Sequence, residues 1–445
     1  MRTALHLRSR NVRWAALGGA LLVAAGAFAA EQPVARAGLR AAVGKIDLTP
    51  SQPKNLLGYA PRQSIGILDR IHHRILVLDD TSTRFFLVCS EFCVFSPALY
   101  DKVADRLERD HGIQRANFWW TLTHTHSAPE VGAPGLPAVF MAERYEHRVD
   151  IEYTAMVENT LVQGVVDALR RLEPVQLGAG WGHSNANINR RARTDAGETV
   201  LGMNPDGPVD RRIGVLRLDR PDGSPLAIVA NYPIHGTVLS GTNKMISGDV
   251  PGVVATYVEK QTGAVMLFVN GAAGNLAPIY SVQPTPQLGH LDEYQVLLGE
   301  RILQAARAIG WRPETVSLRV GATWIDTPRR EGLGWPEDLG AYTRTGPGDR
   351  PLVRIPVRFL RINREVAIWG APLELFCEIA NEVRERSPFL FTFYYGYLNG
   401  WLGYLPTEHE FGFGGYETRV SPYTPTAERD FREGVLGYLE GELRR

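Results

Sequence analysis

Short apolar runs of strand length recur along this chain, separated by turn residues or by stretches with helical periodicity. Arg74-Ile-Leu-Val-Leu78 and Arg84-Phe-Phe-Leu-Val-Cys89 flank Asp79-Asp80-Thr81-Ser82, the pattern of two strands joined by a turn. From Pro97 to Asp110, Leu99, Val103 and Leu107 fall on one helical face. Residues 117–123 then read as a strand, and 151–172 as a long amphipathic helix closed by Glu173-Pro174. Further strands are expected at 213–218, 226–230 and 265–269, with helices near 250–262, 288–309 and 372–386. Strands near 315–325 and 352–369 lie between the last two helices. Helices alternate with strands, yet several strands return as hairpins. The pattern predicts an α/β fold of mixed β-sheets layered with helices, not a strictly parallel doubly wound sheet. No repeat, linker or composition shift divides residues 31–445, which read as a single large domain.

Charge narrows the class of partner. The chain of 445 residues carries 48 basic and 48 acidic side chains, a formal net charge of zero. With no long basic run, nucleic acid is not the expected partner. Attachment to anionic lipid by charge alone is equally unsupported. Three cysteines do not make a disulfide scaffold. Cys89 and Cys93 read as small buried residues or as a local bridge, and their spacing leaves both open.

The N-terminus carries an export pattern. Arg2, Arg8, Arg10 and Arg13 precede an uncharged, alanine-rich stretch, Trp14 to Ala30, that ends in Ala27-Phe28-Ala29-Ala30. A basic start, a short apolar run and small exit residues predict a secretory signal peptide over 1–30, so the mature protein is expected to be secreted or periplasmic. The rival reading is an N-terminal anchor, which needs about 20 strongly apolar residues. No later segment approaches that length.

Candidate chemistry begins at Thr123-His124-Thr125-His126-Ser127, directly after a strand. Residues two apart at a strand end face one side, so His124 and His126 can share a cavity as metal donors, as a proton relay, or as satisfied polar histidines. His235, in Asn231-Tyr-Pro-Ile-His235-Gly236, also ends an apolar strand, and Gly236 permits a tight turn.

Taken in order, these segments resemble the catalytic domain of the neutral, non-lysosomal ceramidase family, zinc-dependent amidases. The match starts at Val43-Gly-Lys-Ile-Asp-Leu-Thr-Pro50, Leu57-Gly-Tyr59 and Gly66-Ile-Leu-Asp-Arg70. It continues through the block at 123–127, Asn187-Ile-Asn-Arg190, His235, Ser247-Gly-Asp249 and Gly274-Asn-Leu-Ala-Pro278. It ends at Pro372-Leu-Glu374 and the tyrosines Tyr404 and Tyr416. Carried over motif by motif, the resemblance implies Zn2+ held by His124, His235, Glu374 and Tyr404. It implies further active-site roles for His126, Arg190 and Tyr416, with Arg190 preferred over Arg191 because it directly follows Asn-Ile-Asn. Tyr416 begins a Tyr-Glu pair with Glu417.

The implied activity is hydrolysis of the N-acyl bond of ceramide or a related lipid amide by metal-activated water. Arg190 and Tyr416 would then stabilise the oxyanion, and His126 would carry a proton to the departing amine. A small-molecule or lipid amide is the implied partner, with only transient lipid contact and no membrane span. The alternatives are the same zinc site acting on another amide or ester, and a secreted binding protein without catalysis. Where the family places a serine, this chain has Ala277, so a serine acyl-enzyme there is excluded. Taken singly the residues also have ordinary readings: Glu374 as the opening of a helix, Asp249 as a helix cap, Arg190 as a solvated turn residue, the tyrosines as loop packing. Full-length members carry a C-terminal β-sandwich, for which the residues after Glu417 are too few.

Overall fold

The computed structural model describes residues 38–286 and 290–444. The expected signal peptide lies outside them. Among the described residues, no helix is long and apolar enough to cross a membrane.

Strand alternation sets the layering. In His72–Asp79 and Arg84–Ser90, Ile75, Val77, Phe86 and Val88 point to one side. There they pack with Val103 and Leu107 of the helix Pro97–His111 and with Val157 and Leu161 of Ile151–Leu169. Their neighbours Leu76, Leu78, Phe85 and Leu87 point the other way, into a second cluster shared with Val229, Leu267 and Val269. Those three belong to Pro225–Tyr232 and Val265–Asn270, strands of the next sheet. Its far face, including Ile228, Ala230 and Phe268, packs on Val250, Val254 and Val258 of the helix Asp249–Thr262. Helix, sheet, sheet and helix thus follow one another. Each fully buried Val or Leu contributes about 1.5–3 kcal/mol, so burial on both faces holds the layers.

The sheets are mixed, as the pattern predicts. The first runs Phe118–Leu122, Arg84–Ser90, His72–Asp79, Arg40–Asp47, with the short Glu173–Pro174 at its edge. The second runs Val265–Asn270, Pro225–Tyr232, Arg212–Asp219, Gln176–His183. A third contains Leu318–Pro328, Pro351–Ile362, Val366–Gly370 and Phe391–Tyr395. Each has one parallel pair: 86–90 with 118–122, 227–232 with 265–270, and 366–370 with 391–395. The carboxyl ends of these pairs lead into the segments bearing His124, His235 and Glu374.

Several boundaries differ from the sequence pattern. The expected helix 372–386 begins only at Cys377. Glu374–Leu375 is instead a short strand paired in parallel with Tyr404–Leu405, because Glu374 N donates to Gly403 O and Phe376 N to Leu405 O. Residues 352–369 form two strands around a turn in which Asn363 has φ 54°. Near 288–309, the described helix is a π turn Gln295–Gly299 followed by Glu300–Arg307. Arg190 is neither solvated nor in a turn: it lies buried within the strand Asn187–Arg193. Cys89 and Cys93 are free, buried thiols rather than a bridge. The closing helix Ala427–Leu443 has no counterpart in the sequence reading.

A buried polar chain links the first sheet to its helices. Trp120 Nε1 donates to Ser90 Oγ over 2.7 Å, and the Ser90 hydroxyl lies 2.5 Å from His73 Nδ1. His73 Nε2 lies 3.2 Å from Val157 O, a carbonyl that can only accept, so Nε2 carries a proton. Burial pulls its pKa from 6.5 down to about 4, although the Val157 carbonyl resists this. Between those values the unfolded chain binds a proton that the folded one refuses, so this contribution to stability is intact above pH 6.5 and lost as pH falls toward 4. Thermal unfolding of His73→Gln from pH 7 to pH 4.5 is therefore expected to show a shallower acid loss than wild type, by up to about 3 kcal/mol. Parallel curves for the two proteins would refute this.

Candidate metal centre

His124 and His126 do not converge through simple strand alternation. Their strand ends at Leu122, and His124 takes a left-handed φ of 64°, a conformation disfavoured for a residue with a side chain. Gly236 N donates to His124 O, and His126 N donates to Gly236 O. A Cβ at Gly236 would lie 2.7 Å from Thr125 Cα, so only glycine permits this approach. The same pairing brings His235 alongside His124.

Three donor atoms meet. Glu374 Oε2 lies 3.4 Å from His124 Nε2 and 3.1 Å from His235 Nε2, and all three residues are buried. The far ring nitrogens are engaged: His124 Nδ1 lies 3.0 Å from Cys93 O, and His235 Nδ1 lies 2.8 Å from Leu276 O. Both Nδ1 atoms therefore carry hydrogen as donors, and in the neutral rings both Nε2 lone pairs are free for a metal. Glu374 Oε1 accepts from Trp401 Nε1 over 2.8 Å, and Oε2 from the Tyr397 hydroxyl over 3.4 Å.

Tyr404 joins this group by register, because its short strand pairs it directly with Glu374. Arg190 Nη2 donates to the Tyr404 hydroxyl over 3.1 Å, and Arg190 Nε to Glu417 Oε1 over 2.9 Å. Arg191 Nη1 donates to the other Glu417 oxygen over 2.6 Å. Arg190 thus lies against Tyr404, clamped by a carboxylate that sequence reasoning left without a role. Tyr416 lines the cleft above the cluster, its ring 5.9 Å from that of Tyr404 and its hydroxyl 3.7 Å from Met141 Sδ. His126 Nε2 lies 3.1 Å from His124 Nε2, against the edge of the Tyr59 ring.

Other expected positions act through the backbone. Asp249 is fully buried and accepts from Val238 N, Leu239 N and Val250 N, so it holds the segment that follows His235. Leu276, in the motif containing Ala277, supplies the carbonyl that orients His235. Sequence reasoning missed Tyr397 and Trp401 as well as Glu417. Only their place in an aromatic segment, or beside Tyr416, distinguished them.

Electrostatics separates the histidines. Burial disfavours charge on His124, but Glu374, helped by Cys93, outweighs it and raises the pKa to about 10. Burial followed by the charges of Arg190 and His124 lowers His235 to about 3. Burial, then His124 and His235, keeps His126 well below its usual range. Glu374 is held well below the usual carboxylate range, because His124 above all overcomes its burial. Burial, then Glu374, raises the Tyr404 hydroxyl, and Arg190 opposes them.

The donors fit a transition-metal cation. Zinc takes nitrogen and oxygen ligands at about 2.0–2.2 Å, which places donors around a tetrahedral centre roughly 3.4 Å apart. The separations of 3.1 and 3.4 Å match that spacing. His235 Nε2 is also buried without a hydrogen bond of acceptable geometry, despite its contact with Glu374. His124, His235 and Glu374 form a group with all donor atoms within 4.8 Å of one another, and Cys93, His124 and His126 form another.

The profile of the family described as neutral/alkaline non-lysosomal ceramidase, N-terminal, matches residues 40–276, more than half of the chain. The chain belongs to this family. Neutral ceramidase B of Dictyostelium discoideum is 29% identical over 231 residues, covering 49% of this chain and 31% of that protein. Neutral ceramidase of Pseudomonas aeruginosa is 27% identical over 261 residues, covering 55% and 38%. The match thus spans about a third of the length of these curated relatives. The crystal structure of the Pseudomonas aeruginosa neutral ceramidase shares the fold, with a TM-score of 0.74 at 20% identity over 91% of this chain and 75% of that one. A ceramidase complexed with C2 gives 0.72. Family and fold therefore agree with the resemblance read from the motifs.

Glu374 is the main charge that keeps His124 protonated in the metal-free protein. Long-range 1H–15N spectra should show the wild-type imidazole charged at pH 8, with its titration near pH 10. In Glu374→Gln, His124 should be neutral at pH 8. A charged His124 in that variant would contradict the electrostatic account.

Proposed function

We propose that this protein is an exported zinc-dependent amidohydrolase that cleaves the N-acyl bond of ceramide or a related lipid amide. The observation that carries this reading is the buried convergence of His124 Nε2, His235 Nε2 and Glu374 Oε2, with Tyr404 paired to Glu374. These four residues would hold the metal. When bound, zinc supplies Lewis acidity, polarising a carbonyl oxygen and acidifying water.

The remaining chemistry falls to side chains. His126, kept neutral by its surroundings, accepts a proton during attack and returns it to the leaving amine. The Tyr416 hydroxyl, at the cleft, donates to the oxyanion of the tetrahedral state. Arg190 faces Tyr404 rather than the cleft lining, which favours a different part from the oxyanion donor expected of it. Its positive charge stabilises negative charge on the Tyr404 oxygen, and Glu417 holds it in place. Cys93, buried beside His124, fixes that ring through its carbonyl.

A second reading, the same centre acting on a smaller amide or ester, is favoured by the size of the cleft, about 40 Å³ over the donors. Both readings require the centre. Elemental analysis of the purified chain should find one zinc per molecule, and added zinc should raise Tm. His124→Ala should abolish both. Zinc-loaded protein should hydrolyse a short-chain fluorescent ceramide, and Glu374→Gln should lower kcat/KM by at least about a hundredfold. Zinc binding without ceramide turnover, but with turnover of a small amide or ester, would replace the first reading by the second. Absence of stoichiometric zinc would overturn both.

A further inference from the structure

One side of the donor cluster carries a thiol. Cys93, His124 and His126 each present a donor atom within 4.8 Å of the other two, and all three residues line the cleft. His124 also belongs to the group with His235 and Glu374, so the two groups meet at one imidazole.

Hydrogen bonds fix each member. His124 N donates to Phe92 O over 2.9 Å, and His124 Nδ1 lies 3.0 Å from Cys93 O, so residues 92–93 are held against that ring. Cys93 Sγ then lies 3.8 Å from His124 Nδ1, in a residue only 2% exposed. His126 N donates to Gly236 O, Arg62 Nη2 donates to His126 O, and His126 Nε2 lies 3.1 Å from His124 Nε2. The other nitrogen of that ring, His126 Nδ1, is buried without a hydrogen-bond partner. Among the described residues, the one polar contact of the His126 ring is therefore with His124.

Ligand chemistry separates the two groups. His124, His235 and Glu374 offer nitrogen and oxygen, whereas Cys93 brings sulfur, and soft sulfur selects soft cations. A tetrahedral ion bound by nitrogen at about 2.0–2.1 Å and by sulfur at about 2.3 Å spaces its donors roughly 3.3–3.6 Å apart. The 3.1 Å between the two Nε2 atoms lies near that spacing. With His124 Nδ1 donating to Cys93 O, Nε2 holds the free lone pair of that ring, and both groups need it. They cannot be filled at once.

We infer that Cys93, His124 and His126 form a second metal seat, which takes a thiophilic cation such as Cd2+, and that filling it shuts the hydrolase off. The cation withdraws His124 Nε2 from the first seat and His126 Nε2 from proton transfer. On binding, the Cys93 S–H bond breaks, a metal–sulfur bond forms and the proton leaves to solvent, with no change of oxidation state. The shut-off rests on the amidohydrolase reading above, whereas the seat itself does not.

Metal-free full-length protein titrated with Cd2+ should develop an ultraviolet sulfur-to-cadmium charge-transfer band that saturates at one ion per chain. Cys93→Ser should lose the band although Cys89 and Cys377 remain, and should lose at least about tenfold more affinity for Cd2+ than for Zn2+. A purely structural part for Cys93, acting through the ring of His124, would weaken both ions alike. His126→Ala should show the same bias against Cd2+, and decides the matter if Cys93→Ser does not fold. In the zinc-loaded protein the band should appear as zinc leaves, kcat/KM should fall with it, and excess zinc should restore both. No band in the wild type, a band that persists in Cys93→Ser, equal loss of the two affinities, or a chain holding zinc and cadmium together would each overturn the inference. A cadmium band in a protein whose zinc form turns over no amide or ester would sink the hydrolase reading and leave the seat standing. Turnover by the zinc form without a cadmium band would do the reverse.

Discussion

The carboxylate of Glu374 lies almost wholly out of water, where an uncompensated charge costs several kcal/mol. Its surroundings answer that cost from several directions. Trp401 and Tyr397 donate to its oxygens, His124 supplies a positive charge, and His235 is in contact. These partners come from three other segments, Tyr397 and Trp401 sharing one, so the chain cannot satisfy this one charge without bringing those segments together. A cation held there would take over the compensation from the His124 proton, which ties metal affinity to pH.

The layered sheets make that meeting feasible. Parallel pairs in the sheets point their carboxyl ends toward one region, and the segments that follow them carry His124, His235 and Glu374. The Gly236 pairing then binds the first two segments directly. A second set of charges, Arg190 and Arg191 around Glu417, locks the strand Asn187–Arg193 to the segment after Tyr404. Apolar burial supplies most of the stability, and these few polar ties select the register in which the donors coincide.

Much of this was legible in the residues. Runs such as 74–78 and 84–89 alternate or are continuously apolar, and buried strands need that character whatever their partners. The helix Pro97–His111 was equally plain, with Leu99, Val103 and Leu107 on one face and Gly112 closing it in the left-handed region. Where local pattern and long-range pairing competed, pairing won. Pro372-Leu-Glu374 has the look of a helix start, but Gly403 O claims the Glu374 amide and makes it a strand. Arg190 among other arginines resembles a solvated turn, but Glu417 and Tyr404, more than two hundred residues away, draw it inside. Trp401 and Tyr397 gave no signal because an aromatic residue that donates to a carboxylate has the same sequence signature as one that fills a core.

Sequence alone determined the mixed α/β class, the family resemblance and which histidines, glutamate and tyrosines were candidates. These rest on local periodicity and on ordered motifs, both written along the chain. Tertiary structure decided the left-handed turn at His124, the strand pairing of Glu374 with Tyr404, and the turning of Arg190 toward Tyr404. The reason is physical: orientation and pKa depend on distance, burial and hydrogen-bond partners, and those come from segments that only the packed layers bring within reach.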